Sequence, residues 1–191
     1  MDWILASASP RRKELLAELI DTFEVIPAKG EEVVEGNPTP EELVKMLATQ
    51  KATEIANKAE CVGKAVLGSD TVVALDGKIL GKPKDEADAV AMLQALSGRS
   101  HEVYTGVCMI YPTATDRKTM VEAACTRVYF LPLTDEEIKA YVATGSPMDK
   151  AGAYGIQDGG LVEKIEGSFS NVVGLPLELC KEMLGRIEVK E

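Results

Sequence analysis

Two hydrophobic periods share this chain. Trp3 to Ala6 is a short apolar run that predicts a strand, and Phe23 to Pro27 predicts a second. Between them Ser9-Pro10 opens a helix, with Ser as N-cap, Pro at the first helical position and Leu15, Leu16, Leu19 and Ile20 as its apolar face. Thr39-Pro40-Glu41-Glu42 has the pattern of a capping box. It starts a long helix reaching about Glu60, with a stripe of Leu43, Val44, Leu47, Ala48, Ile55 and Ala59. Ala65 to Leu75 predicts a buried strand interrupted by Ser69-Asp70-Thr71, and Asp76-Gly77 a hairpin turn into Lys78 to Leu80. A helix follows from Asp85 to Ser97-Gly98, where Gly suits a left-handed cap. Strands over 101–110 and 119–131 flank a polar turn. Thr134-Asp135-Glu136-Glu137 reads as a second capping box for a helix that stops at Gly145. A Gly-rich loop over 146–160, a strand from Leu161 to Ile165 and a helix from Pro176 complete the pattern. Helices mixed with hairpins imply an α/β fold on a mixed sheet, in one domain over 1–191.

Composition narrows the class. Apolar residues make up 46% and charged residues 27% of 191 positions, as in an ordinary globular protein. No apolar run is long enough to span a bilayer, and the N-terminal segment reads as a strand and not a signal peptide, so the expected compartment is the cytoplasm. A net charge of −10 argues against nucleic acid as partner. Cys61, Cys108, Cys125 and Cys180 lack metal-ligand spacing, and each reads as a small buried or half-buried hydrophobe. His101 is the only histidine; no nucleophile-elbow pattern accompanies it.

In so acidic a chain the basic clusters carry information. Arg11, Arg12 and Lys13 stand in the first turn of a helix, where the helix dipole already favours anions. With the Ser-rich turn of Ser7 and Ser9 and its free backbone N–H groups, they form either a phosphate site or a solvated basic turn. Lys51 lies in the middle of an apolar stripe, so it either snorkels to solvent or points into a polar cleft. Asp70 sits between Val66-Leu67 and Val72-Val73; a carboxylate there needs a cation, a metal or several hydrogen bonds. Glu31 and Glu32 are by default an exposed acidic loop, and with Asp70 they offer the hard oxygen donors that hold Mg²⁺ beside phosphate oxygens. Lys82 and Lys84 flank Pro83, and Lys150 precedes the Gly-rich loop. Arg11, Arg12, Lys51, Lys82 and Lys150 on one cleft would make a polyphosphate pocket. The Gly-rich segments match neither the Walker loop nor the dinucleotide fingerprint.

Taken together, these residues resemble the Maf family of nucleoside triphosphate pyrophosphatases. The matching stretches are LASASPRR from Leu5, GSDTVV from Gly68, GKPKD from Gly81, LSG from Leu96, DKAGAYGIQ from Asp149 and GSFSNVVGLPL from Gly167. The resemblance implies an elongated mixed sheet with flanking helices, in two lobes around a deep groove, similar to inosine-triphosphate pyrophosphatases. It also implies a cytoplasmic homodimer that splits a nucleoside triphosphate into monophosphate and pyrophosphate with Mg²⁺ or Mn²⁺. By position, Asp70 matches the general base, with Glu32 beside it at the metal. Arg12, Lys51 and Lys82 match the phosphate-handling cations. Arg11, Thr71 and Gln157 match the base pocket of the pyrimidine subgroup, which acts on dTTP and UTP. The 7-methyl-GTP subgroup has Trp and Gln at the first two positions and is the alternative, beside a broader-specificity pyrophosphatase or a nucleotide-binding regulator of septum formation. After Gln157 this chain departs from the family pattern, with Asp158-Gly-Gly-Leu in place of Gly and a slightly longer segment.

Overall fold

A computed structural model describes residues 1–188. Seven strands form one mixed sheet: β1 (Trp3–Leu5), β2 (Phe23–Val25), β3 (Ala65–Leu75), β4 (Lys78–Leu80), β5 (Ser100–Pro112), β6 (Arg117–Phe130) and β7 (Val162–Glu166). Their order is β2-β1-β3-β5-β6-β7, with β4 on β3. β1 runs parallel to β2 and β3; all other pairs are antiparallel. Among the described residues six α-helices flank the sheet: α1 (Pro10–Leu16), α2 (Pro40–Ala56), α3 (Glu86–Leu96), α4 (Asp135–Ala143), α5 (Phe169–Val173) and α6 (Leu177–Glu188).

Local chemistry explains most boundaries. Ser9 Oγ accepts from Arg12 N with Pro10 at the first helical position, and Thr39 and Glu42 close a reciprocal capping box on α2. The second expected box is only half formed: Thr134 caps Glu137 N, and the reciprocal bond from the Thr134 backbone to Glu137 is not made. Asp76 and Gly77 both take positive φ (52° and 78°), as a two-residue hairpin requires. The expected loop over 146–160 is instead three short 3₁₀ turns, Ser146–Asp149, Ala151–Ala153 and Ile156–Asp158. α5 was not foreseen at all.

Alternation along the strands distributes the core. Trp3, Leu5, Ala65 and Leu67 pack with Leu16 of α1 and Met183 of α6, while Ile4, Ala6 and Val66 face Ala48, Ala52 and Ile55 of α2. A third cluster joins Val73, Val103, Val128 and Phe130 to α3 and α4 at the other end of the long strands. There His101 is buried edge-on against Phe130 and Tyr154, with Nε2 2.6 Å from the Tyr154 hydroxyl. Burial lowers its pKa to about 4, so it is a neutral core residue. Cys61, Cys108 and Cys180 are buried as expected; Cys125, on β6, is exposed. All four are free thiols. Among the described residues no helix is long and apolar enough to cross a membrane.

Candidate active site

The ladder between β1 and β3 ends at Leu5↔Leu67, and that between β4 and β3 ends at Val73↔Leu80. β5 occupies the other edge of β3 throughout, from Val66↔Ile110 to Ala74↔Glu102. Gly68 to Val72 are therefore unpaired on one edge, and Asp70 stands at the centre of that gap. β1 is parallel and β4 antiparallel to β3, so both leave the sheet at the gap with their C-terminal ends. This arrangement brings Ser7, Ser9 and Arg12 to one side of it and Gly81-Lys82 to the other.

Asp70 points toward α2. Its Oδ1 accepts from Lys51 Nζ at 2.7 Å, and the same ammonium lies 3.5 Å from Glu32 Oε1. Lys51 thus resolves its placement in the apolar stripe by reaching between two carboxylates. Burial raises the Asp70 pKa above the usual carboxylate range, against the opposing pull of Lys51 and Arg12. The approach of α2 that makes this contact possible depends on two glycines. A Cβ at Gly68 would lie 2.5 Å from Ala48 O, and one at Gly106, opposite Asp70, 2.2 Å from Val44 O.

Thr71 points to the opposite face. Arg12 donates from Nη2 to Thr71 Oγ1 (3.0 Å), from Nε to Gly174 O (2.8 Å) and from Nη1 to Ser7 Oγ (3.5 Å). Thr71 Oγ1 meets Thr105 Oγ1 at 2.8 Å, and Thr105 donates to Asn171 O. The Asn171 amide in turn donates to Val103 O and to Thr126 Oγ1. Burial lowers the Arg12 pKa, opposed by Asp70, with Arg11 adding to the lowering. The serines hold the turn as well as facing the gap: Ser7 Oγ accepts from Ser9 N, and Ser9 caps α1.

The other expected residues sit farther apart. Gln157 lies on the last 3₁₀ turn, its Oε1 3.2 Å from the position of a Cβ on Gly155. That turn packs on α5, and so does α1, the helix that carries Arg11 and Arg12. Asp158 accepts from Tyr141 (2.6 Å) and Ser146 (2.7 Å). Burial pushes its pKa up, but these bonds and the charges of Lys150 and Arg11 outweigh that. Lys150 does not offer a free cation: its Nζ donates to Ser146 O, Ser146 Oγ and Asp149 Oδ1. Lys82 is exposed, and among the described residues it makes no ion pair.

Residues 2–187 match the Maf-like protein family across nearly the whole chain. The chain belongs to that family. Among relatives of this Maf-like protein, a dTTP/UTP pyrophosphatase of Geotalea uraniireducens is 53% identical over 91% of this chain and 89% of its own. One of Thermococcus gammatolerans is 51% identical over 92% and 91%, respectively. Of solved structures, the Staphylococcus aureus Ham1 protein is similar at a TM-score of 0.47 and 17% identity, over 68% of this chain and 72% of its own.

Four residues at this site escaped the sequence reading: Thr105, Thr126, Asn171 and Gly106. A strand threonine looks the same whether it faces water or a buried partner. Only Gly106 left a signal, since a glycine inside a strand marks a bulge or a close backbone approach.

Proposed function

We propose that this chain is a nucleoside triphosphate pyrophosphatase hydrolysing dTTP and UTP to the monophosphate and pyrophosphate. The observation that carries the reading is Asp70, mostly buried in the unpaired gap of β3, with Lys51, Glu32 and Arg12 around it. The relatives' substrate, dTTP and UTP, is carried here by identities above 50% over nine-tenths of the chain.

The chemistry follows from charge. Arg12 and Lys51 neutralise phosphate oxygens, and the exposed Lys82 at the far side of the gap adds a third cation. Cations fixed around the gap stabilise negative charge as it passes to the leaving pyrophosphate. Asp70 accepts a proton from the attacking water, and its raised pKa suits a base better than an ordinary surface carboxylate would. Asp70 and Glu32 would hold a divalent metal. Both already converge on one cation, the Lys51 ammonium. Among the described residues no cluster of three His, Cys, Asp or Glu side chains exists, so the substrate's oxygens would complete the shell, as is usual for Mg²⁺. When bound, the metal supplies Lewis-acid polarisation of the phosphate and lowers the pKa of coordinated water.

Arg11, Thr71 and Gln157 are read as the pyrimidine-selecting set, on the family resemblance. Buried donors and acceptors matched to a pyrimidine edge reject a purine through size and unpaired polar groups. The same resemblance supports a cytoplasmic location and a homodimer; light scattering on the purified protein measures the second. The decisive test is a pyrophosphate-release screen over single triphosphates. UTP and dTTP should exceed ATP, GTP and 7-methyl-GTP in kcat/KM. A preference for 7-methyl-GTP would overturn the substrate; no release from any triphosphate would overturn the activity.

A further inference from the structure

The loop that carries Glu32 has no secondary structure between Pro27 and Thr39 and buries little of its own apolar surface: Val33 and Val34 are 57% and 47% exposed. Its hold comes from α2. Gln50 and Glu54 stand one helical turn apart, on the same side of that helix. The Glu54 carboxylate accepts the backbone N–H of Lys29 at 3.0 and 3.1 Å and that of Gly30 at 3.1 and 3.2 Å. Gln50 Oε1 accepts Val33 N at 3.0 Å, and its amide nitrogen donates back to Val33 O. Glu31 and Glu32 are the two residues between these anchors. Lys51, next to Gln50, then meets Glu32 at 3.5 Å. A cleft of about 610 Å³ is lined by Gly30, Glu32, Gln50, Lys51 and Glu54, so the clasp forms its wall.

We propose that Gln50 and Glu54 are positioning residues that clasp the loop from both sides and hold the Glu32 carboxylate at the Lys51–Asp70 pair. The geometry is specific. A side chain tied at both main-chain groups of Val33 fixes the loop's far end in direction as well as distance, and Glu54 fixes the near end through two successive N–H groups. The tight fit at Gly30 agrees with this: a Cβ there would lie 3.3 Å from Glu54 Oε2. Neither residue reaches Asp70, so each acts through Glu32. The inference rests on reading Glu32 as a working carboxylate of the site.

The test uses the full chain carrying Glu54→Ala or Gln50→Ala, each alone and combined with Glu32→Ala, and reads UTP turnover, melting temperature and amide hydrogen exchange. Each single variant should lose kcat/KM by about 10-fold, the range typical of residues that orient a ligand group, with melting unchanged. The amides of Lys29 and Gly30 should lose protection in Glu54→Ala, and that of Val33 in Gln50→Ala. Glu54→Gln, which keeps an acceptor, should recover most of the loss. In the Glu32→Ala background the added substitution should change kcat/KM by less than about 2-fold, because its target is gone. Unchanged amide exchange, unchanged turnover in the single variants, or a full 10-fold loss persisting without Glu32 would each overturn the clasp. Wild-type turnover by Glu32→Ala alone would overturn the reading of Glu32 itself, and the clasp with it.

Discussion

Asp70 and Thr71 are sequence neighbours, yet the two faces of β3 they serve are built on different terms. On the α2 face the groups are charged: Asp70, Lys51 and Glu32, mounted on a strand, a helix and a loop, respectively, with side chains 12%, 23% and 53% exposed. On the other face the groups are neutral apart from Arg12, and three of them, Thr105, Thr126 and Asn171, are fully buried. The threonine hydroxyls there are spoken for by neighbours: Thr71 meets Thr105, Thr105 donates to Asn171 O, and Thr126 accepts from the Asn171 amide and donates to Ser168 O. The charged face keeps unspent electrostatic capacity in reach of solvent, which a reaction can use. The neutral face spends most of its capacity internally, with Asn171 Oδ1 the buried acceptor left without a partner among the described residues, and what it yields is a fixed Arg12. Proton transfer should therefore be lost on one face and order on the other.

The largest effect should come from Asp70→Asn. Asn preserves the shape beside Lys51 but cannot take a proton from water, so pyrophosphate release from UTP should fall at least ~10²-fold with the fold retained. Near-normal release would show that the charged face is only structural. Next, Gly106→Ala tests the platform under that face. The new methyl would meet Val44 O, a backbone atom that cannot rotate away. A stability loss of about 3 kcal/mol in urea unfolding is expected, with Lys51 displaced from Asp70. Unchanged stability would mean that α2 rides more loosely on the sheet than this contact allows.

The sequence disclosed these faces unequally. α2 was legible from its capping box and stripe, and β3 from two apolar runs around a polar break. Asp70 and Lys51 stood out because charges inside apolar patterns demand partners. Their pairing did not, since 19 residues separate them and either could have gone to solvent. The neutral face was nearly invisible. α5 is five residues long, too short to show a helical period, and its Ser168 cap lies in a segment already rich in serine. Asn171 reads as a loop residue until the turn buries it. Lys150 misled for the opposite reason: a lysine beside a Gly-rich loop suggests phosphate, but a serine four residues earlier takes its donors.

Asn171→Ala probes that neutral face. Its amide donates to Val103 O and Thr126 Oγ1, both inside the protein, and the substitution leaves those acceptors unpaired. A loss of about 2 kcal/mol is expected, together with weaker UTP turnover as α5 loosens around Gly174 O and Arg12. The acid limb of turnover should shift only slightly, because Arg12, the group this side holds in place, contributes less than Lys51 to lowering the Asp70 pKa. A large shift in Asn171→Ala would show that Arg12 and not Lys51 governs the carboxylate.

The smallest effect, and the one most particular to the charged face, is in that acid limb. Burial raises the Asp70 pKa, while Lys51 and Arg12 pull it down. The proposed base must be ionised to act, so kcat/KM should fall on acidification at a pH above the ordinary carboxylate range. The sign for stability is the reverse. Folding favours the protonated form of Asp70, so its contribution to stability is full below the unfolded pKa and is lost as pH rises through the folded one. Lys51→Met removes the first-named opposing charge, and both transitions should move upward together, on top of a lower turnover at every pH. Arg12 would then be the remaining cation opposing the effect of burial. UTP profiles of kcat/KM between pH 4 and 9 for wild type and Lys51→Met read this directly. A limb that stays in place would mean that the 2.7 Å contact between Lys51 and Asp70 does not govern the proton on the base.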